Sequence, residues 1–197
     1  MSYKIVWDTE YTSWEGCNEN GWNSDQNQYK EIIQIGAVKL DENNNIIDWF
    51  NRFVQPIINP DLSKYIKQLT GITQIDVDTT RRLPIVWNEF INWQGNNPAF
   101  SWGNDIDVIS INKQLYKSVA NKKMESSHTI SMDKVKSIEF NPDLYYDIRP
   151  ILKIHGIPTE NYTSGTVCEY LSEDYTIDQH NAVEDARSLA LTLQDIQ

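Results

Sequence analysis

Asp8 and Glu10 stand two residues apart at the end of the apolar run Tyr3-Lys4-Ile5-Val6-Trp7. In an extended strand, residues two apart share a face. Two carboxylates on one face repel each other unless a cation sits between them, and hard divalent cations take carboxylate oxygens. Asp105 follows a second apolar run, residues 99–102, where a helix begins, and Asp there also serves as an ordinary N-cap. His180 and Asp185 lie five apart at the start of the last helical pattern. Singly, each signal also fits something plain: a solvated strand end, a cap, surface polar residues. Together they set four carboxylates and one imidazole at the ends of elements.

The elements that would position them follow from spacing. Residues 3–8 read as a strand, since aromatic and β-branched residues dominate. Residues 14–30 form a polar loop. Residues 31–40 and 46–54 are two further strands joined by the turn Asp41-Glu42-Asn43-Asn44-Asn45, an antiparallel meander. After Pro56 the spacing becomes helical. Leu62, Ile66 and Leu69 share a face of a short helix that Gly71 ends, and Leu83-Pro84 opens another carrying Val86, Phe90 and Trp93. Residues 98–102 are a brief strand, Gly103-Asn104 a turn, and Asp105 starts a helix with Ile109, Leu115 and Tyr116. The polar stretch 117–139 is expected to be a loop or insertion. Residues 143–155 and 165–171 are expected helices, and the last helix spans about 181–195 with Val183, Leu189 and Leu193 inward. This order predicts an α/β fold, a mixed central sheet flanked by helices in three layers, over one domain spanning 1–197. Ligands of such sheets gather at strand ends and the helix starts that follow.

The 197 residues carry 17 Lys+Arg against 28 Asp+Glu, a net charge of −11, with 40% hydrophobic residues. No apolar run approaches the ~18 residues of a membrane span. Met1 to Trp7 meets Asp8 too early for a signal peptide, so neither membrane nor secretory leader is expected. Cys17 and Cys168 cannot build a disulfide framework or a four-cysteine zinc site, and a reducing, cytoplasmic setting is expected. On charge alone, nucleic acid ranks low as a partner, because proteins that grip phosphates carry a basic surplus.

The motifs revise that ranking. Asp8-Thr9-Glu10, Asp105 and His180-Asn181-Ala182-Val183-Glu184-Asp185 resemble the three exonuclease motifs of the DEDDh 3′-to-5′ exonuclease superfamily, which has an RNase H-like fold. The His-x-x-x-x-Asp spacing marks the histidine branch; the tyrosine branch would place Tyr where this chain has Asn181. Within that superfamily the chain most resembles the Eri-1-like exoribonucleases and the bacterial exonucleases described as sporulation-kinase inhibitors. The resemblance runs through Glu31-Ile32-Ile33-Gln34-Ile35-Gly36-Ala37-Val38, Phe53-Val54-Gln55-Pro56-Ile57-Ile58-Asn59, Leu69-Thr70-Gly71-Ile72-Thr73-Gln74 and Ser101-Trp102-Gly103-Asn104. Relatives read Trp-Gly-x-x-Asp, whereas Trp102-Gly103-Asn104-Asp105-Ile106-Asp107 places acids on either side of the expected position. Asp105 is preferred because Ile106, Val108 and Ile109 then supply the apolar pattern of the following helix; Asp107 is the alternative.

The resemblance implies a metal-dependent nuclease. Asp8, Glu10, Asp105 and Asp185 would hold two Mg2+ ions about 4 Å apart, with Mn2+ as a substitute. His180 would be the general base for the attacking water. The substrate would be the 3′ end of single-stranded RNA or DNA, and the product a nucleoside 5′-monophosphate. Thr12, Trp14, Leu69, Ile72 and Asn104 are the candidate substrate contacts, with Trp22 a second stacking candidate beside Trp14; each base stacked is worth ~1–3 kcal/mol. Leu69 and Ile72 serve equally well as core residues. Lys117, Lys122, Lys123, Lys134 and Lys136 form a basic cluster that reads as a solvated face or a phosphate track. An RNA-directed enzyme leads. A DNA-directed one is the alternative, proofreading ranking lower because no polymerase-binding tail follows the motifs. A catalytically silent binding module stands opposite both, and the complete acidic set with His180 argues against it. Two divalent ions would offset four of the eleven surplus negative charges where a phosphate must sit.

Overall fold

In the computed structural model, residues 3–103, 105–125, 138–171, 177 and 179–196 are described, residues 120–125 by their backbone alone. The strand β1 (Lys4–Tyr11) precedes a one-turn helix α1 (Cys17–Asn20) and a loop that leads to β2 (Ile32–Leu40) and β3 (Ile46–Phe53). Three helices follow, α2 (Lys64–Thr70), α3 (Gln74–Asp78) and α4 (Leu83–Gln94), and then β4 (Ala99–Ser101) and α5 (Asp105–Glu125). The chain closes with β5 (Tyr145–Asp147), α6 (Arg149–Ile154) and α7 (Ala182–Asp195). The sheet order is β3-β2-β1-β4-β5. β1 runs antiparallel to β2, and β2 to β3; β4 lies parallel to β1, and β5 to β4. This is the mixed, helix-flanked sheet expected of an RNase H-like fold.

Alternation along β1 divides the core. Ile5 and Trp7 face one side, where Ile35, Ala37 and Phe50 of the sheet meet Trp87 and Phe90 of α4 and Ile109 of α5. The rings pack at preferred aromatic separations, with Trp7 5.5 Å from Phe90 and Trp87 5.1 Å from Phe90. Val6 faces the other side, against Val38, Leu40, Leu152 of α6, and Leu189, Ala190 and Leu193 of α7. A third cluster gathers Ile33, Leu62, Ile66, Ile72 and Val77 beneath α2 and α3. At Gly36 the α7 backbone lies directly on β2: a Cβ there would stand 2.1 Å from the Val183 nitrogen, so glycine is required.

Three expectations are corrected and one helix is added. Residues 143–155 are not one helix: Tyr145–Asp147 pair with β4 as a strand, and α6 begins only at Arg149. Three paired residues are too few to leave a period in the sequence. The stretch 165–171 holds a 3-10 turn, Val167–Tyr170, in place of an α-helix. α5 continues to Glu125 through residues assigned above to a loop, since Lys, Ala, Met and Glu favour helix without an apolar stripe; the rest of the expected loop, 126–137, lies outside the described residues. α3 was not anticipated, although its capping box, Thr73 with Asp76, is readable from sequence.

Candidate metal-dependent active site

The alternation that buries Val6 carries Asp8 and Glu10 onto the α7 face and turns Thr9 to the opposite one. Asn181 caps α7, its side chain accepting from the Val183 N–H, and Asp185 falls in the first turn. Gln34, fully buried, fastens this helix start to the sheet: its oxygen accepts from the Ala182 N–H at 3.1 Å and its amide donates to Asn181 at 3.2 Å and Asn51 at 3.0 Å. The result is a buried group, Asp8, Glu10 and Asp185, whose ligand oxygens all lie within 4.8 Å of one another. Asp105, also buried, stands beside them at the N-terminus of α5, and Thr9 Oγ1 donates to its Oδ1 at 2.7 Å.

Burial and mutual repulsion dominate the electrostatics. Asp8 is held well above the usual carboxylate range, first by desolvation and then by Asp105, Asp185 and Glu10. Glu10 is pushed up to about 8 by burial, with Asp185 and Asp105 adding to it. Burial raises Asp105 to about 6, against hydrogen bonds from Thr9 and Ser101 that favour its charged form. Tyr11, next along β1, rises to about 12 through burial and the fields of Asp105, Asp8 and Glu10. Among the described residues, no Lys or Arg pairs with Asp8, Glu10 or Asp105 within salt-bridge distance. An oxygen-only donor set this crowded fits a hard divalent cation.

Not every predicted residue joins the group. Asp107 is exposed, whereas Asp105 is buried. His180 is exposed, with φ +63° immediately before the Asn181 cap, and its ring is not among the ligand atoms that meet there. Thr12 is buried and its hydroxyl is committed within the protein, donating to the Tyr29 carbonyl at 2.6 Å and accepting from the Glu31 N–H at 3.0 Å. Ile72 is in the core, with half-buried Leu69 packed beside it. Trp14 is half-buried. Asn104, Lys134 and Lys136 lie outside the described residues, as do the side chains of Lys122 and Lys123; Lys117 is exposed on α5.

Three residues at the site were missed from sequence. Ser164 Oγ donates to Asp185 Oδ2 at 3.1 Å from a segment with no regular period. Tyr11 borders the acids. Lys30 covers the Trp22 ring at 4.0 Å and the Tyr11 ring at 4.8 Å, so one face of Trp22 is already occupied by a cation. Trp22 Nε1 donates to the Thr12 carbonyl at 2.8 Å, which fixes this aromatic wall against the end of β1.

Comparison with known proteins agrees with the geometry. The family model RNase_T, described as exonuclease, matches residues 5–193. The 3′-5′ exonuclease eri1 of Schizosaccharomyces pombe is 27% identical over 210 residues, covering 96% of this chain and 66% of the relative. ERI1 exoribonuclease 2 of Homo sapiens is 36% identical over 109 residues, 52% of this chain and 15% of the relative. The chain thus spans about two thirds or less of these relatives' lengths. The nuclease domain of 3′hExo, a DEDDh family member bound to rAMP, superposes with a TM-score of 0.76 at 23% identity, covering 99% of this chain and 91% of that one.

Proposed function

The chain belongs to the RNase_T exonuclease family, and on that premise we propose that it is a metal-dependent 3′-to-5′ exonuclease that shortens single-stranded RNA and releases nucleoside 5′-monophosphates. The observation that carries this reading is the buried meeting of Asp8, Glu10 and Asp185 within 4.8 Å, with Asp105 beside them. These four side chains would hold two Mg2+ ions, or Mn2+ in their place. Bound there, the ions supply positive charge to a phosphodiester and to the attacking and leaving oxygens. The carboxylates hold their positions through Thr9, Ser164 and the Gln34 clamp on α7. His180, exposed at the solvent edge, would take the proton of the attacking water, the role of a general base. Lys30, over its aromatic wall, faces the substrate's phosphate backbone, and Trp14 offers a base-stacking surface.

RNA is favoured over DNA because ERI1 exoribonuclease 2 of Homo sapiens is among the relatives matched. One exonuclease domain over 1–197 is supported by the span of the family match. A reducing, cytoplasmic setting is supported by Cys17 and Cys168, both buried and free. No helix among the described residues is long and apolar enough to cross a membrane.

The test uses RNA and DNA oligomers labelled at either end, incubated with Mg2+ or EDTA, with wild type and Asp8→Ala. Stepwise Mg2+-dependent loss from the 3′ end of RNA, absent in Asp8→Ala, is expected. No shortening of any substrate overturns the enzyme reading, and preferential shortening of DNA overturns the substrate assignment.

A further inference from the structure

Resting on the reading of Asp185 as a metal ligand, we propose that the Ser164-Gly165 pair is a positioning device that fixes the orientation of this carboxylate and thereby sets the strength of metal binding. The two residues hold its two oxygens differently. Ser164 Oγ donates to Oδ2 at 3.1 Å. Gly165 sits under the other: a Cβ there would stand 2.5 Å from Oδ1 and 3.1 Å from Cγ, so only glycine lets the chain pass this close. A hydrogen bond on one oxygen and a wall behind the other remove the freedom of the carboxylate to turn about its Cβ–Cγ bond. The ligand is ordered before a cation arrives, so binding carries a smaller entropic cost.

The pair is itself firmly seated. Thr166 Oγ1 accepts from the Thr163 N–H at 2.9 Å, and the Val167 N–H donates to the Thr163 carbonyl at 3.1 Å, closing a turn around residues 164 and 165. Beyond it, Val167 joins the core that Leu189 and Leu193 share, and the Cys168 N–H donates to Ser188 Oγ of α7 at 3.2 Å. Turn and ligand therefore move as one body with α7. The Ser164 hydroxyl also lies within reach of Asp8. It has one proton to give, so it can tie only one of the two carboxylates at a time.

Calorimetric titration with Mn2+ and the Mn2+-induced rise in Tm test this on wild type, Ser164→Ala, Ser164→Thr, Gly165→Ala and Asp185→Asn. Ser164→Ala is expected to weaken Mn2+ binding about 10- to 100-fold. Ser164→Thr, which keeps the hydroxyl, is expected to restore it to within a few-fold, and Gly165→Ala to weaken it at least as much as Ser164→Ala by displacing Oδ1. The Mg2+ concentration for half-maximal cleavage should rise in parallel. Wild-type Mn2+ affinity in both Ser164→Ala and Gly165→Ala, with loss in Asp185→Asn, overturns the positioning role and leaves the metal site standing. Wild-type affinity in Asp185→Asn as well overturns the metal-site reading and the clamp with it.

Discussion

Glu31, just before β2, and Asp8, near the end of β1, are both buried carboxylates on neighbouring stretches of chain, yet the surroundings treat them in opposite ways. Glu31 is saturated: its oxygens accept from the backbone N–H groups of Ile57 at 2.7 Å, Ile58 at 3.0 and 3.1 Å, and Asn59 at 2.6 Å. Burying an ion is tolerable when fixed donors replace its water. Asp8 instead faces Glu10, Asp105 and Asp185, all of which raise its pKa, and the nearby Ser164 hydroxyl lowers it less than burial and these acids raise it. The first arrangement is complete within the protein, and it anchors the loop that leads to α2. The second becomes favourable only when positive charge enters. A buried acid surrounded by donors marks architecture, and a buried acid surrounded by acids marks a ligand site.

The sharpest way to break this contrast is to neutralise one acid of each kind. Asp8→Asn should lower cleavage at least about a thousandfold, the equivalent of several kcal/mol of lost charge stabilisation. It should also raise the Tm of the metal-free protein, because a repulsion has gone; a lower Tm in EDTA would undo the comparison. Asp105→Asn should cost about a hundredfold in rate, whereas exposed Asp107→Asn should stay near wild type, and equal losses would mean that the fold places the second-motif ligand differently. Glu31→Ala leaves three half-buried N–H groups without their acceptor and should destabilise the protein by roughly 3 kcal/mol with or without Mg2+, read by urea unfolding.

Acidity gives a finer test. Carboxyls whose folded pKa is raised bind protons in the folded state that the unfolded chain has already released. The stability they confer is complete below the unfolded values near 4. It is lost as pH rises through about 6 for Asp105 and about 8 for Glu10. The Tm of metal-free protein should therefore fall between about pH 4 and pH 8, and saturating Mg2+ should flatten the slope; a Tm that climbs over that range contradicts the crowding of acids. The smallest expected effect is at the aromatic wall. Lys30→Ala should raise KM for RNA about fivefold, roughly 1 kcal/mol, with little change for a dinucleotide.

Much of this was legible because periodicity and chemistry coincide. Asp8 and Glu10 share a face by strand alternation alone, and α4 and α7 carry apolar spacing strong enough to read directly. What escaped has physical reasons. Ser164 and Gly165 act through tertiary approach to Asp185, which no local pattern encodes. Glu31 reads as an ordinary strand-edge acid until the loop 57–59 folds over it. Thr12 is a substrate candidate through the family resemblance alone, and only the fold shows its hydroxyl lying between Tyr29 and Glu31. β5 is defined by its partner strand, and its own three residues carry no period.

The close seating of α7 on Gly36 has a consequence in time. Asp8, Glu10 and Asp105 belong to elements made early or midway through synthesis, while Asp185 arrives on a helix that follows every strand of the sheet. A ribosome that has released the chain only as far as β5 has delivered three of the four acids and not yet the helix that carries Asp185. The group of acids closes only when the last helix emerges and docks against bare backbone at residue 36. A half-made copy of this protein therefore carries an incomplete set of acids.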